Sequence, residues 1–199
     1  MPVHPSAGHY DDSLANRCAA RFGGVFRPVN RLDAGTSGLM VVARDAHVHA
    51  LLCKALHTGD FERRYLAVAE GVFAEKQGVV DAPIARVEGS AIQRCVSPDG
   101  QRAVTHYRVL RNNSRFSLVE LTLETGRTHQ IRVHMASIGH PVAGDTVYGA
   151  RRDPFGLNGQ CLHARELSFI HPRTGERMTF HAALPDYFSA LLARLRRES

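Results

Sequence analysis

The sequence NRLDAGTSG, residues 30–38, places one carboxylate between an arginine and a group of turn-forming residues. The glycine, threonine and serine residues after Asp33 favour a tight turn. The segment that follows, GLMVVARD at residues 38–45, is a short apolar run of the kind found in buried strands. Asp33 is therefore predicted to lie at the entrance of a strand. From this loop alone, a simple Asx-turn is the more economical interpretation.

The rest of the chain predicts short strands with a few inserted helices. Apolar spacing and capping residues indicate helices at 13–22, from Asp45 to before Gly59, at 128–138 with Thr128 as N-cap, and at 187–196. Strand patterns occur at 64–69, 103–110 and 116–123, and around 161–169 and 177–184, with turn signals at 88–89 and 98–100. This order predicts an α+β fold, built on a mostly antiparallel mixed β-sheet with flanking helices.

The composition fits one globular domain with excess positive charge. Of the 199 residues, 44% are hydrophobic, and the formal net charge of +6 favours a polyanionic partner such as nucleic acid. The four cysteines form no Cys-x-x-Cys pair, which argues against a zinc ribbon or a redox motif. The sequence contains no apolar run of membrane-spanning length and begins with no signal-peptide pattern, so we expect a soluble, cytoplasmic protein that does not associate with membranes.

A second polar stretch, residues 124–149, combines a predicted helix with titratable side chains. Arg132 lies one turn beyond Thr128, and a buried arginine there would need a carboxylate, for which Asp33 is a candidate. His129 and His134 are not spaced as an i, i+4 pair, and no acidic ligand lies near them at a recognised spacing. We therefore predict no metal site.

Tyr65 begins an apolar run within FERRYLAVAEG, residues 61–71. An aromatic ring at this position can be a core or rim residue. It can also stack on a nucleobase, or place a phenol near a proton that must move. The strand pattern leaves these alternatives open.

Together these stretches resemble the RluA/RluD-type RNA pseudouridine synthases. The family's His-Arg-Leu-Asp loop and its Thr-Ser-Gly sequence correspond to residues 30–33 and 36–38, and its basic tyrosine strand corresponds to residues 63–68. Its Thr-Gly-Arg-x-His-Gln-Ile-Arg stretch matches residues 125–132, and its Gly-His-Pro, Gly-Asp and Tyr-Gly pattern matches residues 139–149. The resemblance covers nearly the whole chain and implies the catalytic fold of that family.

The resemblance implies an isomerase that breaks the N1–C1′ bond of a uridine, turns the uracil and reattaches it through C5, without a cofactor. The base must first leave its stack. Asp33 would be the essential carboxylate, Arg132 would offset the cost of burying its charge, and Tyr65 would stack on the uracil. Arg31 would fill the gap left in the RNA stack. The remaining predicted RNA-binding residues are Arg127, His129 and Gln130.

The sequence departs from the family pattern at two places. Asn30 stands where the loop usually has histidine. Family members usually carry earlier strands with a Lys-Pro-x-Gly loop, so we expect residues 1–199 to form a single catalytic domain that lacks the first strands and the S4-type RNA-binding domain of its relatives. We expect a monomer acting on large-subunit ribosomal RNA, with transfer RNA as the alternative substrate.

Two other functions remain open from the sequence. One is a non-catalytic RNA-binding module of the same fold. The other is a carboxylate-dependent hydrolase of nucleosides or sugars, which would normally need two carboxylates facing one bond. Glu124 and Asp145 are the acidic residues considered as neighbours of Asp33.

Overall fold

A seven-stranded mixed sheet forms the centre of the molecule. The structure is a computed structural model and describes residues 3–5, 10–149, 156–157 and 159–197. Its helices are α1 (Leu14–Phe22), α2 (Ala46–Ala55), α3 (Gln130–Ser137) and α4 (Asp186–Arg197). Its strands are β1 (Arg27–Pro28), β2 (Ser37–Gly38), β3 (Val42–Ala43), β4 (Phe61–Glu70), β5 (Gln77–Asp81), β6 (Ile84–Arg86), β7 (Arg94–Val96), β8 (Val104–Asn112), β9 (Phe116–Leu123), β10 (Leu162–Ile170) and β11 (Arg177–His181).

The strand order confirms the predicted α+β class. The main sheet runs β11-β10-β4-β9-β8-β5 with antiparallel neighbours, and β2 joins β10 in parallel. Two small antiparallel sheets, β1-β3 and β6-β7, lie outside it. None of the helices in the described ranges is long and apolar enough to cross a membrane.

Strand β4 separates two hydrophobic clusters because its side chains alternate between the two faces of the sheet. Tyr65 and Ala67 belong to the cluster that includes Met135 of α3. Val68 belongs to the cluster that includes Phe188 of α4. Helices α3 and α4 therefore cover opposite faces of the central strand, and the face toward α3 carries Tyr65.

The predicted helices form, with one wrong N-cap. Ser13 and Asp45 cap α1 and α2 through their side-chain oxygens. Helix α3 begins after His129 rather than Thr128, and His129 has the left-handed φ of 58° without a side-chain capping bond. The Gln130 side chain instead folds back onto the segment before the helix, where its Oε1 accepts the backbone N–H of Arg127 at 2.9 Å.

The single buried strand predicted at residues 38–45 is wrong. Only Gly38 and residues 42–43 are in strands, and the half-buried segment between them crosses from the main sheet to β1. The Asn30 side chain explains the break, because its Oδ1 accepts the backbone N–H of Val41 at 2.8 Å, where a strand would use a backbone carbonyl. The strands predicted around 64–69, 103–110, 116–123, 161–169 and 177–184 are confirmed, whereas the sequence patterns did not predict β1, β5, β6 and β7.

A buried hydrogen-bond network ties α3 to the sheet. Gln130 donates through Nε2 to the Val104 carbonyl at 2.9 Å and to Thr105 Oγ1 at 3.0 Å. His134 Nε2 lies 2.9 Å from the Ala82 carbonyl, which can only accept, so this nitrogen carries a proton. His134 Nδ1 lies 2.9 Å from Thr105 Oγ1 and accepts the threonine hydroxyl. A neutral His134 therefore completes the network, with Nε2 donating and Nδ1 accepting.

We predict that stability falls as the pH drops below about 6.5, the pKa of an exposed histidine. Burial lowers the pKa of His134 in the folded protein. The unfolded chain therefore binds a proton that the folded chain does not, and the free energy of unfolding decreases with falling pH by up to about 1.4 kcal/mol per pH unit. Urea unfolding between pH 7.5 and pH 5 measures this slope. His134→Gln should reduce the slope, the exposed control His47→Gln should keep it, and an unchanged slope in His134→Gln would contradict the assignment.

We also predict that Gly38→Ala severely destabilises the protein. Gly38 has φ +112°, and a Cβ there would lie 2.2 Å from the Ala164 carbonyl oxygen of β10. The backbone strain and the collision together should cost about 3 kcal/mol or more, measured by urea unfolding. Gly59→Ala is the matched control, because nothing lies within 4 Å of its added Cβ. Equal stabilities for the two variants would show that β2 can leave β10 without cost.

Candidate active site

One cleft brings together nearly all of the predicted site residues. It has a volume of about 570 Å³ and lies between the Asp33 loop, strand β4 and residues 125–131. The predicted residues that line it are Arg31, Asp33, Tyr65, Arg127, His129 and Gln130. Arg132, the remaining predicted residue, reaches the cleft through its contact with Asp33.

The Asp33 loop is held by backbone and amide hydrogen bonds that leave its carboxylate facing Arg132. The turn is closed by the Thr36 N–H donating to the backbone carbonyl of Asp33 at 3.0 Å, not to its carboxylate. Gln160 Nε2 donates to the Ala34 carbonyl and to Thr36 Oγ1, both at 2.8 Å. The Asp33 side chain is 24% exposed. This geometry differs from the Asx-turn considered from the sequence.

The end of the loop is tied to β10 and α4. Ser37 Oγ lies 2.8 Å from His163 Nδ1 on β10 and 2.8 Å from the Tyr187 hydroxyl on α4. Burial lowers the pKa of His163, which favours the neutral imidazole in this cluster. Two elements distant in sequence therefore fix the chain four residues beyond Asp33.

Arg132 is shared by two carboxylates, and Asp145 is the stronger partner. Arg132 Nε and Nη2 donate to Asp145 Oδ2 and Oδ1 at 2.7 and 2.9 Å, a bidentate pair. Its Nη1 lies 3.6 Å from Asp33 Oδ2. Burial disfavours the charged guanidinium, but the hydrogen bonds and charge of Asp145, together with Asp33 and Tyr148, outweigh burial and raise the pKa of Arg132. The predicted partnership with Asp33 is therefore present as a longer contact beside a buried ion pair.

Tyr65 contributes a neutral phenol to the cleft. It is buried on the β4 face toward α3. Burial raises the pKa of Tyr65, and the negative charge of Asp33 adds to this shift, whereas the nearby Arg63 opposes it. Since the ordinary tyrosine pKa is already about 10, the hydroxyl keeps its proton at neutral pH. The ring can stack or donate a hydrogen bond, but it is not a resting phenolate.

His129 and Tyr148 brace the other side of Arg132. His129 Nδ1 lies 2.8 Å from the Tyr148 hydroxyl, which also accepts the backbone N–H of Arg94 at 2.9 Å. The Tyr148 ring centroid lies 5.0 Å from Arg132 Cζ, a cation–π contact. Burial and the neighbouring arginines lower the pKa of His129, although Asp33 opposes the shift. His129 thus acts as a neutral hydrogen-bonding group in a strained backbone position.

The remaining predicted residues differ in what they can offer a ligand. Arg31 is exposed at the cleft. Arg127 lies at the rim of the cleft, where it donates hydrogen bonds to the Arg102 carbonyl and to Gln101 Oε1. Gln130 is only 2% exposed, and its amide makes two acceptor and two donor bonds within the protein. A full set of internal bonds favours a positioning role for Gln130, and its predicted RNA contact stays a prediction.

Sequence reasoning assigned no role to four residues of this site: Arg63, Asp145, Tyr148 and Gln160. Asp145 and Tyr148 lie in the Gly-Asp and Tyr-Gly pattern matched above, and a buried arginine that needs a carboxylate was the signal for Asp145. Glu124 shares no ion-pair partner with Asp33, because it pairs with Arg102 and His106 at the surface. Among the described residues no group of three or more His, Cys, Asp or Glu side chains is placed to hold a metal ion.

Comparison with known proteins matches the chain to one family. The family model for RNA pseudouridylate synthase matches residues 1–137. An uncharacterized RNA pseudouridine synthase of Bacillus subtilis, YjbO, is 48% identical over 94% of this chain and 68% of its own length. The ribosomal large subunit pseudouridine synthase D of Zymomonas mobilis is 43% identical over 98% of this chain and 67% of its own.

Solved structures agree with the sequence relatives. Human RNA Pseudouridylate Synthase Domain Containing 4 superposes with a TM-score of 0.77 at 28% identity, covering 98% of this chain and 86% of that one. The TM-score for the human Domain Containing 1 protein is 0.73, also at 28% identity, over 94% of this chain and 86% of that one. The matched family model, the relatives and the shared fold together establish that this chain belongs to the RNA pseudouridine synthase family, of the RluA/RluD type.

Proposed function

We propose that this pseudouridine synthase acts on uridines of large-subunit ribosomal RNA, with Asp33 as its catalytic carboxylate. The observation that carries the site assignment is the 3.6 Å contact between Asp33 and Arg132 in a cleft that Tyr65 also lines. The choice of RNA rests on relatives named ribosomal large subunit pseudouridine synthase D, which are 40–43% identical over 98–100% of this chain. As part of the same proposal, residues 1–199 act as one catalytic domain in a cytoplasmic monomer.

Asp33 supplies the negative oxygen that the isomerisation requires. Uridine must lose its N1–C1′ and C5–H bonds and gain C5–C1′ and N1–H bonds. The C5 proton that leaves is matched by the proton that N1 takes up, so the number of atoms and electrons is unchanged and no redox partner is consumed. A carboxylate next to the sugar or the base can act as nucleophile or base at this stage. The partly exposed position of Asp33 leaves room for a nucleotide to reach it.

Arg132 positions Asp33 without cancelling its charge. Since Asp145 takes two of the guanidinium nitrogens, the group of Asp33, Arg132 and Asp145 carries one formal negative charge. Arg132 therefore orients the catalytic carboxylate, while the excess negative charge remains available for the reaction. Fixed charges of this kind need no rearrangement when the transition state forms.

Tyr65 and Arg31 hold the nucleotide in this proposal. Tyr65 stacks on the extruded uracil, because its ring lines the cleft beside Asp33. Its protonated phenol can also donate a hydrogen bond to a uracil oxygen. Arg31 is exposed next to the catalytic residue and occupies the space that the base leaves in the RNA stack. Arg127 and His129 complete the RNA-contacting rim.

The experiment that tests this proposal is pseudouridine mapping of total RNA from cells that lack the gene. We expect one or more pseudouridines of large-subunit ribosomal RNA to disappear, to return with the wild-type gene, and to stay absent with Asp33→Asn. The amide keeps the shape of the carboxylate but not its charge, and turnover of the purified variant should fall by about 1,000-fold or more, equivalent to about 4 kcal/mol.

The outcomes separate the parts of the proposal. Lost pseudouridines in transfer RNA alone would show that the substrate assignment is wrong while leaving the chemistry in place. Restored pseudouridine with Asp33→Asn would overturn the role of the carboxylate. Purified Asp33→Asn should unfold near the wild-type midpoint, because its contact with Arg132 is long and partly exposed.

We further predict that Asp145→Asn loses both stability and activity. The substitution leaves the buried Arg132 with one neutral partner, which should reduce the free energy of unfolding by about 3 kcal/mol. Arg132 is then expected to move toward Asp33 and neutralise it, so kcat should fall at temperatures where the variant is still folded. Urea unfolding and steady-state kinetics measure the two effects. Asp99→Asn in an exposed turn is the control, and an active, stable Asp145→Asn would contradict the positioning role.

A further inference from the structure

Arg63 is a buried arginine on the floor of the cleft. It lies two residues before Tyr65 on β4, so both side chains point to the same face of the sheet. Arg63 is 6% exposed and lines the cleft together with Tyr65. Adjacent side chains on one strand face are about 6–7 Å apart, so both can contact groups of a single nucleotide.

The positive charge of Arg63 has no carboxylate partner among the described residues. Its Nη2 donates to the Thr125 carbonyl at 3.2 Å and, less closely, to the Leu123 carbonyl at 3.4 Å. Its Nε is buried and has no hydrogen-bond partner among the described residues. The neighbouring Arg64 differs, since it lies on the opposite face and pairs with Glu62 and Glu166. Arg63 is therefore a buried cation without a carboxylate within 4 Å among the residues that the structure describes.

This arrangement is costly unless a ligand completes it. Burial lowers the pKa of Arg63, the sign expected for a guanidinium removed from water without a counter-ion. A buried charge normally requires a pairing partner. An anion entering the cleft would supply that partner.

Gly126 gives the cleft access to Arg63. A Cβ on Gly126 would lie 2.7 Å from Arg63 Nη1, and Gly126 itself is exposed and lines the cleft. Its φ lies outside the left-handed region, so the backbone does not require glycine there. The missing side chain is what keeps space open at the guanidinium.

The charges around the cleft favour a phosphate. Four arginines line it, at positions 31, 63, 94 and 127, against one carboxylate, Asp33. The planar guanidinium fork matches phosphate oxygens in geometry as well as charge. We propose that Arg63 binds a phosphate oxygen of the nucleotide whose base contacts Tyr65. This inference rests on the proposed RNA site and adds a phosphate-binding residue to it.

The test compares binding of uridine monophosphate and uridine to the full chain by NMR titration. We expect the wild type to bind the monophosphate at least about 10-fold more tightly than uridine. Arg63→Gln should bring the two affinities within about 2-fold of each other. Arg64→Gln, which removes an equal charge from the opposite face of β4, should keep the wild-type preference.

Other outcomes contradict the proposal in defined ways. A wild type without preference for the monophosphate, or an Arg63→Gln variant that keeps the preference, would overturn it. Equal weakening of both ligands by Arg63→Gln would show a structural role in place of phosphate binding. If Arg63→Gln does not fold, Gly126→Ala replaces it, because the added methyl group displaces Nη1 while retaining the charge. In Gly126→Ala, the difference in binding free energy between uridine monophosphate and uridine must fall to half of the wild-type value or less.

This experiment is independent of turnover. A phosphate preference without any pseudouridine formation would leave the Arg63 assignment intact and overturn the catalytic proposal. Pseudouridine formation without a phosphate preference would overturn the Arg63 assignment and leave the catalytic proposal intact.

Discussion

The buried pair between Arg132 and Asp145 is the interaction on which the active site depends. A guanidinium carried into the interior by α3 must be paired, and Asp145 satisfies it with two hydrogen bonds while also accepting the backbone N–H groups of Val147 and Tyr148. The pair thereby joins the helix to the segment before Gly149. Because it uses two of the three guanidinium nitrogens, the third is left pointing at Asp33.

The position of Asp33 depends equally on how the loop is attached to the sheet. Gly38 approaches the β10 backbone so closely that no side chain fits, and Gln160 and Ser37 hold the loop on either side of the turn. These contacts come from β10, α4 and the segment before β10. The carboxylate that we propose to be catalytic therefore lies on a short polar loop that several contacts hold in place, and a precise reaction geometry needs such a support.

The sequence predicted the elements better than the contacts between them. Helix α2 carries its own signals, an Asp45 cap and apolar spacing, and strands β8 and β9 have long apolar patterns. The apolar run at 38–45 is not one strand, because the side-chain oxygen of Asn30, outside the run, accepts the backbone N–H of Val41. No local pattern determines which carboxylate will reach Arg132. Asp33 was a candidate from the residues and gained its role from the resemblance, whereas Asp145 had no assigned role. Such pairing is a property of the folded chain.

Successive side chains of β4 lie on opposite faces of the sheet, so neighbouring residues of the same type have different surroundings. Arg63 and Arg64 have the same chemistry, yet the first lies in the cleft beside Tyr65 and the second pairs with glutamates at the surface. Tyr65 remains protonated because burial raises its pKa, and the Asp33 carboxylate adds to this shift while the Arg63 guanidinium opposes it. A phenol in that state is poorly suited to begin the reaction as a base. Removal of the C5 proton therefore either uses another acceptor, for which Asp33 is the available carboxylate, or requires that the substrate first change the charge around the phenol.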